Sequence, residues 1–268
     1  MIPTRRLAAQ GGFFKRSAEE LGRLSRIDES TVTDCKTFAD RAVGGYSTAN
    51  LDFVAGEPGT NTPPHARFHG SISTKLPENW RVERTGYAAF RNKDRGLWLF
   101  GRLYWDVDPY AYLALRIKSD GRRYSVNIQT DSIIETDIHQ HRLYTRHHRV
   151  QDSELAARAR VPGNETEQDS SATTSGETGW ETVLLPFNEF VRTNHGYVVE
   201  PQTSIIRQRV KSIGIGLTDR IEGPFDLRIH KIWATNGIGE QEFEEERRIC
   251  GADALPLDEG VRTGWIEK

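Results

Sequence analysis

From about residue 46 onward the chain reads as short runs in which apolar and polar positions alternate, separated by turn residues. A period of two is the mark of a strand with one buried face. YSTANLDFV from Tyr46, ARFHGSIS from Ala66 and TGYAAFRN from Thr85 are such runs, the first two joined by the turn-rich AGEPGTNTPP. YLALRIKSDGRRYSVNIQTD is the clearest. Leu113, Leu115 and Ile117 share one face, and Tyr124, Val126 and Ile128 line one face of the next strand. Asp120-Gly121 between them predicts a hairpin, because both turn positions favour residues that tolerate positive φ. HQHRLYTRHH and WETVLLPF add two strands, with Pro186 ending the second and Phe187 and Phe190 placed to close one end of a core. Ile213, Ile215 and Leu217 share a face, and Phe225, Leu227 and Ile229 alternate with Asp226, Arg228 and His230. Ile232 breaks that period, signalling a bulge or a strand end. Strands do not alternate with long amphipathic helices, so the pattern predicts an all-β sandwich over residues 33–236 and argues against a doubly wound α/β fold.

Three segments depart from this texture. In residues 1–32, Phe14, Ala18, Leu21 and Leu24 fall near helical spacing among Lys15, Arg16, Arg23 and Arg26. This is a basic amphipathic leader, with Arg16 and Arg23 as candidate partner contacts. Glu19 and Glu20 favour its retention, since targeting segments are poor in acids; a cleaved targeting segment and an uninvolved surface helix remain alternatives. Residues 151–179 are rich in Ser, Thr, Glu and Gly, with too little apolar surface to offset the entropy of ordering, and predict a long disordered insertion. Residues 237–268 form a charged extension whose GEQEFEEERRIC predicts a peripheral helix.

Candidate chemistry narrows the picture. GIGLTDRIEGPFDLRIHKI, from Gly214, carries a glycine-x-glycine, but Asp219 stands where a dinucleotide fingerprint needs its third glycine, and a strand follows where a helix should start. Asp219 and the turn at Glu222 to Pro224 therefore read as scaffold or contact loop. His139 and His141 would point the same way on a strand. A cupin-type metal site would need a Glu three or four residues further on, where this chain has Leu143, Tyr144 and Thr145. Asp106 and Asp108 precede Pro109 and read as a turn. No catalytic, cofactor-binding or metal-binding residues are predicted. The 268 residues carry a formal net charge of -2, which gives no bulk attraction to nucleic acid. No run approaches the roughly 20 apolar residues of a membrane-spanning helix. Cys35 and Cys250 read as free thiols. Arg116, Ser125, Asn127 and Gln129 fall opposite the core-facing positions of what read as two neighbouring strands, giving a polar sheet face that is solvated, partner-binding or carbohydrate-binding.

Four segments together resemble one family: ADRAVGGYST from Ala39, with an Asp-x-x-x-Gly-Gly-x-Ser pattern; IKSDGRRYSVNI; WETVLLPFNEF; and VKSIGIGLTDRIEGPFDLRIHKI. They are similar, in order, to the complex I intermediate-associated protein 30 family, over roughly Thr33 to Thr235. The resemblance implies a galactose-binding-like β-sandwich of jelly-roll type, to which the leader's spacing adds an N-terminal helix. It also implies a non-enzymatic, chaperone-like assembly factor that uses no cofactor. Such a factor binds a membrane-arm intermediate of mitochondrial complex I together with other assembly factors, on the matrix side of the inner membrane and peripheral to it through partners. The insertion after Gln151 and the short leader depart from the pattern. Candidate contact residues in the loops are Arg41, Tyr46 and Arg84. A jelly-roll carbohydrate-binding module is the alternative. Trp180 and Trp233 read as core anchors, and Gly44-Gly45 as a tight backbone before the first strand.

Overall fold

The computed structural model describes residues 27–56, 62–78, 81–94, 96–98, 101–146 and 178–256. Two antiparallel sheets face each other across one apolar core. The seven-stranded sheet runs, in spatial order, β1 (Cys35–Ala39), β4 (Ala88–Asn92), β13 (Val210–Leu217), β8 (Tyr124–Thr130), β9 (Asp137–Arg142), β11 (Val191–Asn194) and β12 (Tyr197–Val198). The five-stranded sheet runs β10 (Glu181–Pro186), β7 (Tyr112–Lys118), β14 (Gly223–Thr235), β3 (His65–Ile72) and β2 (Thr48–Val54). A short ribbon pairs β5 (Leu97–Trp98) with β6 (Gly101–Arg102). This is the all-β sandwich that the alternation anticipates.

The inner rows are the apolar positions of each alternation. Phe90, Ile215, Tyr124, Val126 and Ile128 of one sheet are buried against Phe68, Leu115, Ile117, Leu227 and Ile229 of the other. Each such side chain contributes about 1.5–3 kcal/mol on full burial. Phe68 marks the seam, its ring centroid 4.9 Å from Phe90 across the core and 4.9 Å from Phe225 within its own sheet. Phe187 and Phe190 are buried, as anticipated, with ring centroids 6.3 Å apart.

The predicted hairpin around Asp120-Gly121 is not formed. β7 pairs with β10 and β14, whereas β8 pairs with β13 and β9. Residues 119–123 therefore carry the chain from one sheet to the other. Gly121 does adopt positive φ (84°), and the Asp120 carboxylate accepts from the backbone of Asp226 at 2.7 Å and from the Tyr124 hydroxyl at 3.1 Å. Local alternation and turn chemistry suit either a hairpin or such an arch. The two differ in whether the apolar faces lie side by side or confront each other, which is a tertiary matter. The link from β13 to β14 crosses between sheets in the same way. The period break in β14 is a bulge at His230, between Ile229 and Lys231, and the strand continues to Thr235.

Two α-helices and three short 3-10 helices complete the described chain. α1 (Glu29–Thr33) opens on a capping box in which Asp28 accepts from the Thr31 backbone at 2.8 Å. The Thr31 and Ser30 hydroxyls also bond this carboxyl, and together these contacts hold it down at about 2. α2 (Glu240–Cys250) is the helix anticipated in the tail. The helical spacing of Phe14 to Leu24, with Arg16 and Arg23, lies outside the described residues, as does the insertion apart from Thr178 and Gly179.

Candidate functional site

The residues of the sequence motifs hold loops together from inside. Asp40 is fully buried, and its carboxylate accepts from the Ser47 backbone (2.8 Å), the Ser47 hydroxyl (2.8 Å) and the Gly86 backbone (2.7 Å). Ser47 in turn bonds Ser73 at the end of β3. The glycine pair follows from this packing. Gly44 sits at φ +91°, and a Cβ on Gly45 would lie 2.4 Å from the Asp40 carboxyl carbon. Arg122 pairs with Asp219 and donates to the carbonyls of Ile221, Gly223 and Pro224. Gly214 lets β13 lie close to β4, since its Cβ would meet the Phe90 carbonyl oxygen at 2.3 Å.

Arg116 is not on an exposed polar face. It belongs to β7, on the outer face of the five-stranded sheet, while Ser125, Asn127 and Gln129 belong to β8, on the outer face of the other. α2 covers Arg116 completely, leaving its side chain 0% exposed. Glu242, Glu245 and Glu246 share one helix face at i, i+3 and i+4, and all three reach the guanidinium. Nη2 is 2.7 Å from Glu242 Oε1, Nη1 is 3.0 Å from Glu245 Oε2, and Nε is 3.0 Å from Glu246 Oε2. Thr182 donates to Glu246 at 2.5 Å, and Lys231 to Glu242 at 2.6 Å. Arg116 and Lys231 both lie over the Trp233 ring, with Arg116 Cζ 5.4 Å and Lys231 Nζ 4.8 Å from its centroid. Burial works against the charged guanidinium, but Glu246, Glu245 and Glu242 outweigh it and raise its pKa. Contact with His230, then Arg116, holds Glu245 well below the usual carboxylate range. Trp180 is buried against Ile249 and Cys250 of the helix. Burial, with the Glu246 charge, pushes the Cys250 thiol up to about 12. The tail helix is thus packed onto the sheet and not peripheral.

On the outer face of the seven-stranded sheet, β8 and β9 share a polar network. Gln140 donates to Ser125 (3.1 Å) and Asn127 (3.0 Å), and Arg91 donates to Gln129, whose amide donates to the Glu135 carbonyl at 2.8 Å. Beside this network lies a groove of about 540 Å³. It is lined by Ser125, Gln140 and Thr193, by Arg123 and Arg142, and by Val191, Val198 and Ile221. Arg84 sits 5.6 Å over the ring of Tyr197, next to Val198. Arg41 and Tyr46 are exposed on the β1–β2 loop and are not among the described groove-lining residues. The groove escaped the sequence reading because β11 and β12 are four and two residues long, too short to show a period.

His139 and His141 do point the same way, but toward the core side of β9, in register with Ile128 and Val126. Burial lowers the pKa of His139, whose Nε2 is 3.1 Å from the Thr203 carbonyl oxygen. Among the described residues, no group of three or more His, Cys, Asp or Glu is placed to hold a metal ion. His147 and His148 lie outside them. Both cysteines are free thiols, and burial, with the neighbouring Asp34 charge, pushes Cys35 up to about 11. No described helix is long and apolar enough to cross a membrane.

The family model of complex I intermediate-associated protein 30 (CIA30) matches residues 26–174 and 168–229. The chain belongs to this family. A CIA30 protein of Neurospora crassa, named complex I intermediate-associated protein 30, mitochondrial, is 41% identical over 265 residues, covering 85% of this chain and 85% of the relative. Relatives of the same name in Drosophila melanogaster and Mus musculus are 27% and 25% identical over 76% and 78% of this chain. Those alignments cover 57% and 54% of the two animal proteins, so the chain spans little more than half their length. Among solved structures, two of the family 11 carbohydrate-binding module of Clostridium thermocellum are similar at 12% and 13% identity, with TM-scores of 0.42 and 0.45. They cover 79% and 78% of this chain and 96% and 93% of those modules. The CIA30 match ends at residue 229, before α2 and the three of its glutamates that reach Arg116.

Proposed function

We propose that this chain is a non-enzymatic assembly factor for mitochondrial respiratory complex I. It holds a membrane-arm intermediate together with other assembly factors, on the matrix side of the inner membrane, and stays peripheral through those partners. The observation that carries this reading is membership of the CIA30 family, with 41% identity to a mitochondrial CIA30 protein over 85% of the chain. The geometry supports it. Asp40, Ser47, Arg122 and Asp219 are committed to joining loops, so the motif residues serve the scaffold and leave the outer faces and loop tips for contact. A factor that binds and later releases its client suits moderate, partly polar interfaces. Arg16, Arg23, Arg41, Tyr46 and Arg84 are the proposed contacts.

Affinity purification of the full chain from mitochondrial membranes, followed by mass spectrometry, tests this. Membrane-arm subunits and other assembly factors are the expected yield. Their absence, with binding on a glycan array, would replace the reading with a carbohydrate-binding one. Deleting residues up to Arg26 is expected to weaken recovery while leaving the melting temperature unchanged. Unchanged recovery would remove the leader from the contact surface.

A further inference from the structure

We propose that the β2 edge of the five-stranded sheet binds an extended segment of a partner protein, which adds as a further strand and turns alternate aliphatic side chains toward the core. The backbone decides the conformation of this occupant. β2 is the outermost strand of its sheet, seven residues long, and pairs with β3 without a bulge from Thr48 to Val54. Every second residue of an antiparallel edge strand turns its N–H and C=O away from its neighbour. Among the described residues, the β2 backbone bonds only to β3. A row of open donors and acceptors at strand spacing is met by another strand, whereas a helix uses its main-chain groups internally. The other sheet edges carry features that discourage such pairing. β12 has two residues, β10 ends in Pro186, and β1 has five residues with the exposed Lys36 among them. β2 has no Lys, Pro or Gly, and its one charged side chain, Asp52, is bonded to His69 at 2.6 Å.

The side chains of the occupant follow from what lies beside this edge. Ala49, Leu51 and Phe53, the inward row of β2, are only partly buried against the core. A cavity of about 90 Å³ adjoins them, lined by Leu51 of β2, Cys35 of β1 and Val32 of α1, with Ile213 and Ile232 from the two sheets. The hydroxyl, thiol and amide in its lining are already bonded. Thr31 Oγ1 donates to Asp28, Cys35 Sγ donates to the Thr31 carbonyl, and Asn92 accepts from Ile213 and donates to the Lys93 carbonyl. Such a lining suits an apolar group and offers water few partners. In size it matches one aliphatic side chain, since a leucine removed from a core leaves about 150 Å³. A strand added beside β2 places every second side chain over the inward row. Its remaining side chains stand beside Thr48, Asn50 and Asp52 and are free to be polar. A lipid chain would leave the backbone row of β2 unmet.

This inference deepens the assembly-factor reading and rests on it for the source of the segment, but its test does not use complex I. A fluorescein-labelled octapeptide of alternating Leu and Thr is titrated into the full chain. Two N-methylated forms accompany it, one methylated at every Leu and the other at every Thr. Methylation removes main-chain donors, and in a paired strand only one of the two sets faces β2. One methylated form is therefore expected to bind at least about tenfold more weakly than the other. The unmodified peptide should slow amide exchange in residues 48–54. Cys35→Leu, which fills part of the cavity at a half-buried position, is expected to weaken the peptide about tenfold without lowering the melting temperature. Equal effects of the two methylations, or unchanged exchange in residues 48–54, would overturn the proposal whatever Cys35→Leu does. Exchange in those residues that slows with rising protein concentration alone would make a second copy of the chain the occupant, and would overturn it too. A failed peptide titration with intact recovery of complex I subunits removes the edge proposal and leaves the assembly reading standing. Peptide binding at the edge with no recovery of those subunits supports the edge and removes the assembly reading.

Discussion

Arg122 holds Asp219 with two parallel hydrogen bonds, Nε to Oδ2 at 3.0 Å and Nη2 to Oδ1 at 2.7 Å, and so fastens together two loops that each cross from one sheet to the other. Asp219 occupies the place where a phosphate-binding loop would have its third glycine, and its carboxylate is committed to an arginine. Asp219→Ala leaves a nearly buried guanidinium with only carbonyl partners. The expected loss is about 3 kcal/mol, the lower end for breaking a buried pair, because those carbonyls remain. Arg122→Lys keeps the charge but loses the fork geometry and should cost less than the aspartate deletion. Urea unfolding with an unchanged m-value is the measurement. A loss within about 0.5 kcal/mol, the range of an ordinary surface change, would show that the pair does not join the loops.

Gly45 and Asp40 make a second internal fastening with a sharper steric signature. A methyl group on Gly45 would sit 2.4 Å from the Asp40 carboxyl carbon and 2.5 Å from its Oδ1. That oxygen accepts the Ser47 backbone N–H, so it cannot move without giving up the bond. Gly45→Ala is expected to cost about 1–3 kcal/mol as an overpacking change. Asp40→Asn should cost a similar amount, since an amide keeps one acceptor oxygen where the carboxylate uses two. If Gly45→Ala melts at the wild-type temperature, the loop is looser than this geometry requires.

The strands and the limits of the sequence reading come from the same local signal. Alternation located β2, β3, β4, β7, β8, β9, β10, β13 and β14 because each turns alternate side chains toward the core, and that demand is written residue by residue. Partner choice is not written there. Asp120-Gly121 between Ile117 and Tyr124 reads identically whether β7 and β8 pair or face each other. Arg116 shows the same limit at a charged position. On β7 it alternates with Leu115 and Ile117 like any solvent-facing residue, and only the arrival of α2, 126 to 130 positions later, buries it. The glutamates at 242, 245 and 246 do announce a helix face rich in carboxylates, but nothing local names the cation they seek.

Arg116 itself supplies the third prediction. Three glutamates converge on one guanidinium from a helix that otherwise contributes Ile249 and Cys250 to a small apolar contact with Trp180. Arg116→Ala would leave those carboxylates facing one another with Lys231 and Arg248 as the remaining cations. The expected result is release of α2 from the sheet, at about 3–5 kcal/mol. Hydrogen exchange across residues 240–250 should rise far more than exchange in β8 or β13, and Cys250 should become reactive toward a thiol reagent. Uniform loss of protection over both sheets would instead make the helix part of one cooperative unit with the sandwich.

Acid should loosen the same contact before it unfolds the sandwich. The Glu245 carboxylate lies against His230 Nε2 (3.7 Å), Lys231 (3.6 Å), Arg116 (3.0 Å) and Arg248 (4.0 Å), with Glu242 and Glu246 on its own helix. Its folded pKa is depressed below the ordinary 4.5, chiefly by the His230 contact and then by Arg116. A depressed carboxylate binds its proton more readily in the unfolded chain than in the folded one. Its stabilisation is therefore complete above the unfolded value of 4.5 and is lost as pH falls from there toward the folded value. Fluorescence of Trp233, packed beneath Arg116 and Lys231, should report the release of α2 below pH 4.5, together with faster exchange in residues 240–250. Glu245→Gln cannot titrate, so it should start from lower stability at neutral pH and show a flatter acid limb. Identical acid titrations of the wild type and Glu245→Gln would place the proton uptake elsewhere, with Asp137, held down by Asn194 and Arg192, as the next group to substitute.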